Sequence, residues 1–176
     1  METTDEDLAL SAATGDRAAF AALATRVYDR VLRLAWRLTG NRAEAEDLTQ
    51  DVLMALPAKL RSFRAEARLT TWLYRVVMNA AHDRRRRAAA HGRAADGWGD
   101  WEIARQAEIS ETAEARDWLT TAMAQLALDL RDTLAMVLDG ETHAQVAEVL
   151  GISEGTVSWR MSEVRKHLRS MKEAEA

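Results

Sequence analysis

The stretch THAQVAEVLGISEGTVSWRMSEVRKHLRSM, from Thr142 to Met171, restricts the fold more than any other part of the chain. Thr142 is a helix N-cap, and Gln145 three residues on can close a reciprocal capping box. Val146, Ala147 and Leu150 mark one apolar face, and Gly151 stands where a helix ends in a left-handed residue. Ser153 caps a second helix, whose Val157, Met161, Val164 and Leu168 recur at helical spacing. The opposite face carries Thr156, Ser158, Trp159, Arg160, Ser162, Arg165, Lys166 and Arg169. A helix, a glycine turn and a second helix rich in hydroxyls and arginine suit the DNA major groove. There Thr and Ser reach base edges or phosphates, and Arg grips guanine with two hydrogen bonds. The competing reading is a plain helical hairpin with a solvated basic end. The arginines alone decide little between the two; the cap, the turn glycine and Gly155-Thr156-Val157 together favour the DNA reading.

The rest of the composition agrees with helices. In 176 residues there are one proline, Pro57, and eight glycines. The absence of cysteine excludes disulfides and thiolate metal sites. No apolar run reaches the length of a membrane span, and the opening METTDEDLAL is acidic where a signal peptide is basic and then apolar. These features place the chain in the cytoplasm, with no cofactor and no metal. The net charge of −4 hides a segmented pattern. Residues 57–93 hold 10 basic and 2 acidic side chains, a net of +8, whereas residues 94–141 hold 3 and 11, a net of −8. Local basic surface, not the overall balance, is what neutralises phosphates.

In chain order, Thr4 caps a short helix over Asp5–Ala13, and a long helix runs from Arg17 to Thr39 on a stripe of Phe20, Leu23, Ala24, Val27, Val31, Leu34, Ala35 and Leu38. Arg26, Arg30, Arg33 and Arg37 fall on other faces and are expected in water. Gly40 ends that helix and Asn41 caps a third, Arg42–Leu56, which Pro57 stops or follows with a new short helix. On the third helix Glu44, Asp47, Gln50 and Asp51 share a face. Two readings stand there: acids favouring a helix N-terminus, or an acidic stripe that docks on a basic partner helix. Next come Arg61, Arg64 and Arg68 in a loop around Phe63, then a helix capped by Thr70 or Thr71 and running through Arg87. Trp72, Arg75, Asn79 and Arg86 lie near one line on it, with Arg84 and Arg85 in its basic end. Arginines among aromatics suit a single nucleic-acid strand; the alternative is that Trp72 and Tyr74 are core and the four arginines a solvated tail, and for Tyr74 the core reading is preferred. The period fails from about Ala88 to Thr112, which reads as a linker with Trp98 and Trp101 as contacts. Helices over 113–126 and 130–138 then lead into the opening motif. The expected architecture is all-α: two small helical domains, 1–90 and 113–176, joined by a flexible linker, 91–112.

Four of these stretches, in order and spacing, resemble the extracytoplasmic-function group of bacterial RNA polymerase sigma factors, which keep only domains two and four. GDRAAFAALATRVYDRVLRLAWRLTGNRAEAEDLTQDVLMAL is similar to the start of domain two and FRAEARLTTWLYRVVMNAAHDRRRR to its promoter-melting part. LRDTLAMVLDGETHAQVAEVLGISEGTVSWRMSEVRKHLR is similar to domain four. The resemblance implies that Glu44, Asp47, Gln50 and Asp51 dock on the clamp helices of the polymerase β′ subunit, which favours the docking reading. It implies that the loop Arg61–Leu69 captures a flipped base of the minus-ten element, and that Trp72, Arg75 and Asn79 hold the upstream edge of the bubble. The helix Ser153–Arg169 would read the minus-thirty-five element, Arg160 and Arg165 foremost. The acidic linker would run towards the polymerase active-site cleft. Partners implied are core RNA polymerase through its β′ and β subunits, promoter DNA, and an anti-sigma factor that holds the protein inactive.

The chain departs from the family pattern in three places. Leu126-Ala127-Leu128 replaces a usual Leu-Pro step, Trp159 stands where a small residue is common, and Glu163 where a basic one is. The last two bear on which upstream sequence is read. A conventional repressor with a helix-turn-helix would need a dimerisation helix. A phosphodiester-cleaving enzyme would need clustered carboxylates or histidines for metal ions, and His82, His91, His143 and His167 show no such spacing and read as surface residues.

Overall fold

A computed structural model describes residues 3–91 and 111–174, with side chains from 118 onward in the second stretch. It contains helices α1 (Asp5–Ala13), α2 (Arg17–Thr39), α3 (Arg42–Leu60), α4 (Leu69–Ala90), α5 (Glu111–Gln125), α6 (Leu128–Leu138), α7 (His143–Leu150) and α8 (Glu154–Ala174). Among the described residues there is no strand. The segment expected as a linker, with Trp98 and Trp101, lies almost wholly outside the described residues.

Helices α1 to α4 form one bundle. Asp16 caps α2 by accepting from the N–H groups of Ala18 and Ala19, and Leu23, Val27, Val31, Leu34, Ala35 and Leu38 are buried along it. Gly40 then adopts φ 63°, a left-handed turn that favours glycine, and Asn41 accepts from the Glu44 N–H to start α3. Two adjacent residues thus end one helix and begin the next, which lays α3 back along α2.

Pro57 neither stops α3 nor starts a new helix: α3 runs on to Leu60 with the proline inside its last turns. The ring removes one N–H and crowds the preceding turn. The stripe Leu48, Val52, Leu56 and Leu60, each at most 1 % exposed, offsets that cost, because straightening the chain at Pro57 would leave Leu60 in water. The start of α4 also differs from expectation. Neither Thr70 nor Thr71 caps it; the helix begins at Leu69, whose N–H donates 3.0 Å to Glu6 Oε1 from α1. A carboxylate at a helix N-terminus meets both the unpaired N–H and the helix dipole.

Helices α5 to α8 form the second unit. Arg131 on α6 donates to the carbonyls of Met123 and Ala124 at 2.8 Å and of Leu126 at 3.2 Å, tying the end of α5 to α6. Thr142 and Gln145 close the expected capping box on α7, Gly151 takes φ 67°, and Ser153 Oγ accepts from the Thr156 N–H at 3.1 Å. Val146, Ala147, Val157, Met161 and Val164 are buried between α7 and α8.

The two units also pack against each other, α6 on α2 and α7 on α4. Both Arg33 and Arg37 pair with Asp139 at the end of α6, at 3.5 Å and 2.6 Å; Arg33 stays exposed, as expected, while Arg37 is drawn into the contact.

Candidate promoter and polymerase surfaces

Three surfaces collect the residues singled out in the sequence. The first is on α3, where Glu44, Asp47, Gln50 and Asp51 are all exposed. They are exposed because Ala45, Leu48, Thr49 and Val52 take the core side of the same turns. Two features of this face escape a periodicity reading. Met54, 80 % exposed, adds an apolar side chain one turn beyond Gln50 and Asp51. Arg84 of α4 pairs with Asp51 at 2.7 Å and reaches Asp47 at 4.0 Å. The signal for Met54 was present in the sequence, as a large apolar residue off the buried stripe. The Arg84 pair spans 33 residues and has no local signature.

The second surface is the 61–68 loop with the outer side of α4. Phe63 is buried and its ring lies 5.4 Å from that of Trp72, tilted by 57°. The loop thus turns on an aromatic pair, with Trp72 half-buried beside it. Arg61, Arg64 and Arg68 point outward. Ala65 holds φ 55°, a left-handed conformation that non-glycine residues adopt at a cost. Ser62, Arg64, Ala67, Trp72, Arg75 and Glu148 border a hollow of about 250 Å³. Asn79 is exposed one turn past Arg75, and Arg86 pairs with Asp83. Tyr74 is core, as preferred from the sequence.

Several of these groups are engaged by the second unit. Arg75 donates 3.1 Å to the Glu148 carbonyl, and its guanidinium lies 3.5 Å from the Glu148 carboxylate. Arg85 forks onto both oxygens of Asp132, at 2.9 Å and 2.7 Å, and lies 24 % exposed inside the contact rather than on the outer face. His82 reaches the same carboxylate at 2.8 Å, so this histidine has a carboxylate partner after all. Among the described residues no cluster has the makeup of a metal site. Burial opposes charge on Asp132, but the His82 and Arg85 hydrogen bonds and the Arg85 charge outweigh it and hold the carboxyl below its usual range. Tyr74 donates its hydroxyl to Asp139; burial first, and then that hydrogen bond, push its pKa up. Removing one side of such a buried ion pair costs about 3–5 kcal/mol, because the other charge is left stranded.

The third surface is on α8. Ser158, Trp159, Arg165, Lys166 and Arg169 are exposed, with Trp159 58 % so, and Thr156 and Ser162 are half-buried at its edge. Ser158 Oγ lies 3.1 Å from His143 Nδ1, and Lys166 pairs with Glu163 at 2.6 Å. Arg160 is turned the other way. Its guanidinium meets Asp129 at 3.4 Å and donates to Thr133 Oγ1 at 3.4 Å, with the side chain 18 % exposed. The face available to a ligand therefore centres on Trp159, Arg165 and Arg169, with Arg160 clamping α8 to α6.

An acidic helix face, a basic loop beside an aromatic pair, and a helix-turn-helix with its polar side open thus lie on one all-helical chain. Residues 23–91 match the family Sigma-70 region 2, and residues 116–168 match Sigma-70, region 4. The chain is 36 % identical to the ECF RNA polymerase sigma factor SigM of Mycobacterium tuberculosis, over 95 % of this chain and 84 % of that protein. It is 29 % identical to the ECF RNA polymerase sigma factor SigW of Bacillus subtilis, over 88 % and 89 %. Among solved structures it is similar to CnrH, determined in complex with the cytosolic domain of CnrY. That likeness has a TM-score of 0.71 at 26 % identity and covers 98 % of this chain and 99 % of that one. The sigma factor RpoE of Bartonella quintana, solved with the anti-sigma factor NepR, shares the fold at a TM-score of 0.68 and 21 % identity, over 89 % and 98 %. The chain belongs to the extracytoplasmic-function group of RNA polymerase sigma factors, which direct transcription initiation at promoters.

Proposed function

We propose that residues 1–90 carry polymerase docking and minus-ten melting, that 91–112 connect, and that 113–176 carry minus-thirty-five recognition. Glu44, Asp47, Gln50 and Asp51, with Met54, face the β′ clamp. Charge complementarity steers that encounter and fixes its register, while Met54 supplies apolar area at its centre. Arg61, Arg64 and Arg68 hold phosphates around the loop, with Phe63 packed behind Trp72 to shape a pocket for an extruded base. Unstacking a base costs a few kcal/mol, and a preformed pocket offsets it. Trp72, Arg75 and Asn79 hold the strand beside that pocket, and Arg84 and Arg85 add positive potential behind it. On α8, Thr156, Ser158, Trp159, Ser162, Arg165, Lys166 and Arg169 face the upstream duplex, and Arg160 sets the pitch of that helix. The protein works in the cytoplasm without enzymatic activity, and an anti-sigma factor restrains it, a reading supported by the similar sigma factor RpoE having been solved in complex with the anti-sigma factor NepR.

The observation that carries this reading is the exposed acidic face of α3 beside the basic loop and α4, a docking face and a strand-holding face on one rigid bundle. Among the described residues no helix is long and apolar enough to cross a membrane, which suits a partner of core polymerase. In vitro transcription with core polymerase tests the assignment. Specific transcripts from target promoters are expected only when this chain is added, and their absence with a folded chain would defeat the reading.

A further inference from the structure

In a helix-turn-helix the first turns of the second helix reach the base edges. On α8 those turns hold no free guanine reader. From Glu154 to Met161 the one cation is Arg160, and it is held by Asp129 and Thr133 of α6. The nearby hydroxyls are engaged as well: Ser153 Oγ and Thr156 Oγ1 lie 2.9 Å apart, and Ser158 Oγ lies 3.1 Å from His143 Nδ1. Trp159 is placed differently. At about 100° per residue it stands about 200° round the helix from Val157, opposite the buried stripe. Its side chain is 58 % exposed, so the indole is largely left out of the core of its own domain. Exposed Arg165 and Arg169 further along α8 supply the positive charge that draws a duplex to this side.

The major groove carries one apolar mark among its donors and acceptors, the C5-methyl group of thymine. An indole face forms no hydrogen bond with a base edge, so the methyl is the feature it can distinguish. We propose that Trp159 is a specificity-determining residue of α8 and reads a thymine of the upstream element by packing on its methyl group. The proposal rests on the assignment of α8 to that duplex. Glu163, a turn beyond Trp159, is answered by Lys166 at 2.6 Å, which keeps a bare carboxylate from the phosphates beside the contact.

The test uses core polymerase carrying the full chain, on a promoter that it transcribes, with the upstream element replaced by a randomised duplex library. Selection by the parent should enrich thymine at one position, and Trp159→Ala should lose that preference while keeping the others. Uracil then replaces thymine at that position, which removes the methyl and alters nothing in the protein. Parent affinity should fall about four-fold, the worth of one buried methyl-sized group, whereas Trp159→Ala should bind both duplexes equally. The salt dependence should be the same in parent and variant, because no phosphate contact is lost. Equal binding of the thymine and uracil duplexes by the parent overturns the methyl contact. So does a Trp159→Ala that weakens all sequences alike, the mark of packing on a sugar. A parent that transcribes yet selects no upstream sequence overturns the assignment of α8 and the proposal with it. Transcription from the unrandomised promoter reads the sigma-factor assignment separately.

Discussion

Helices α4 and α8 are both basic helices with aromatic and polar residues facing outward, yet they meet the rest of the molecule differently. On α8 the outward face is open, and Trp159, Arg165 and Arg169 have solvent before them. On α4 two cations are answered from within the chain, Arg75 by Glu148 in a pair that stays half exposed and Arg85 by the buried Asp132 in a dry one. The contrast separates two meanings of a basic helix. A charge in water is available and worth little to stability, whereas a charge paired in a dry contact holds the fold and is withheld from a ligand.

The contrast can be tested by mutation, and the largest effect belongs to α4. Arg75→Ala with Asn79→Ala should abolish transcription from duplex promoters while leaving polymerase binding intact. Mismatches that pre-melt the minus-ten region should restore much of the signal, with permanganate reactivity of unpaired thymines as the readout. Equal reactivity of mutant and parent on duplex templates would remove α4 from the melting step. On the docking face, Asp51→Arg should break the Arg84 pair and set like charge against a basic clamp, so a pull-down should lose core polymerase while circular dichroism stays unchanged.

A smaller effect distinguishes the two arginines of α8. Arg165→Ala should weaken upstream duplex binding across sequences and lower the salt slope by about 1, as expected for one lost phosphate contact. Arg160→Ala should lower the second domain's melting temperature instead, by removing the clamp to Asp129 and Thr133, with a loss of about 1 kcal/mol. The opposite pattern, a stable Arg160→Ala with lost base preference, would return that residue to the groove.

The smallest effect is in acid. The Asp132 carboxyl is held below its ordinary value, so its contribution to the domain contact is complete above the free-carboxylate range and is lost as the pH falls through the lowered value. The urea stability of the parent should therefore converge on that of Asp132→Asn as acid is added. A constant gap between the two curves would assign the contact's strength to other groups.

What was legible in the sequence follows the range of the interactions. The capping box at Thr142, the left-handed Gly151 and the α2 stripe are settled within a few residues, so pattern alone finds them. Pro57 misleads because the local rule is correct and burial of Leu60 outweighs it. At Arg160 helical spacing gives the place near the polar face but not the reach of its long side chain back to Asp129 on α6. The domain contact is the largest omission, with partners 47 to 106 residues apart. Its trace was nevertheless present, in a block of +8 followed by a block of −8 that the sequence reading assigned to separate partners.

The Glu6 carboxylate that accepts from the Leu69 N–H has a practical consequence. The first helix braces the start of α4 and the loop proposed to read the promoter, 63 residues away along the chain. Deleting it, or displacing it with a bulky fusion, would fray the start of α4 and let Phe63 and Trp72 drift apart. A tag for purification therefore belongs at the far end of the chain, and trimming of the leading residues is expected to loosen the start of α4 without removing any residue of the proposed DNA surfaces.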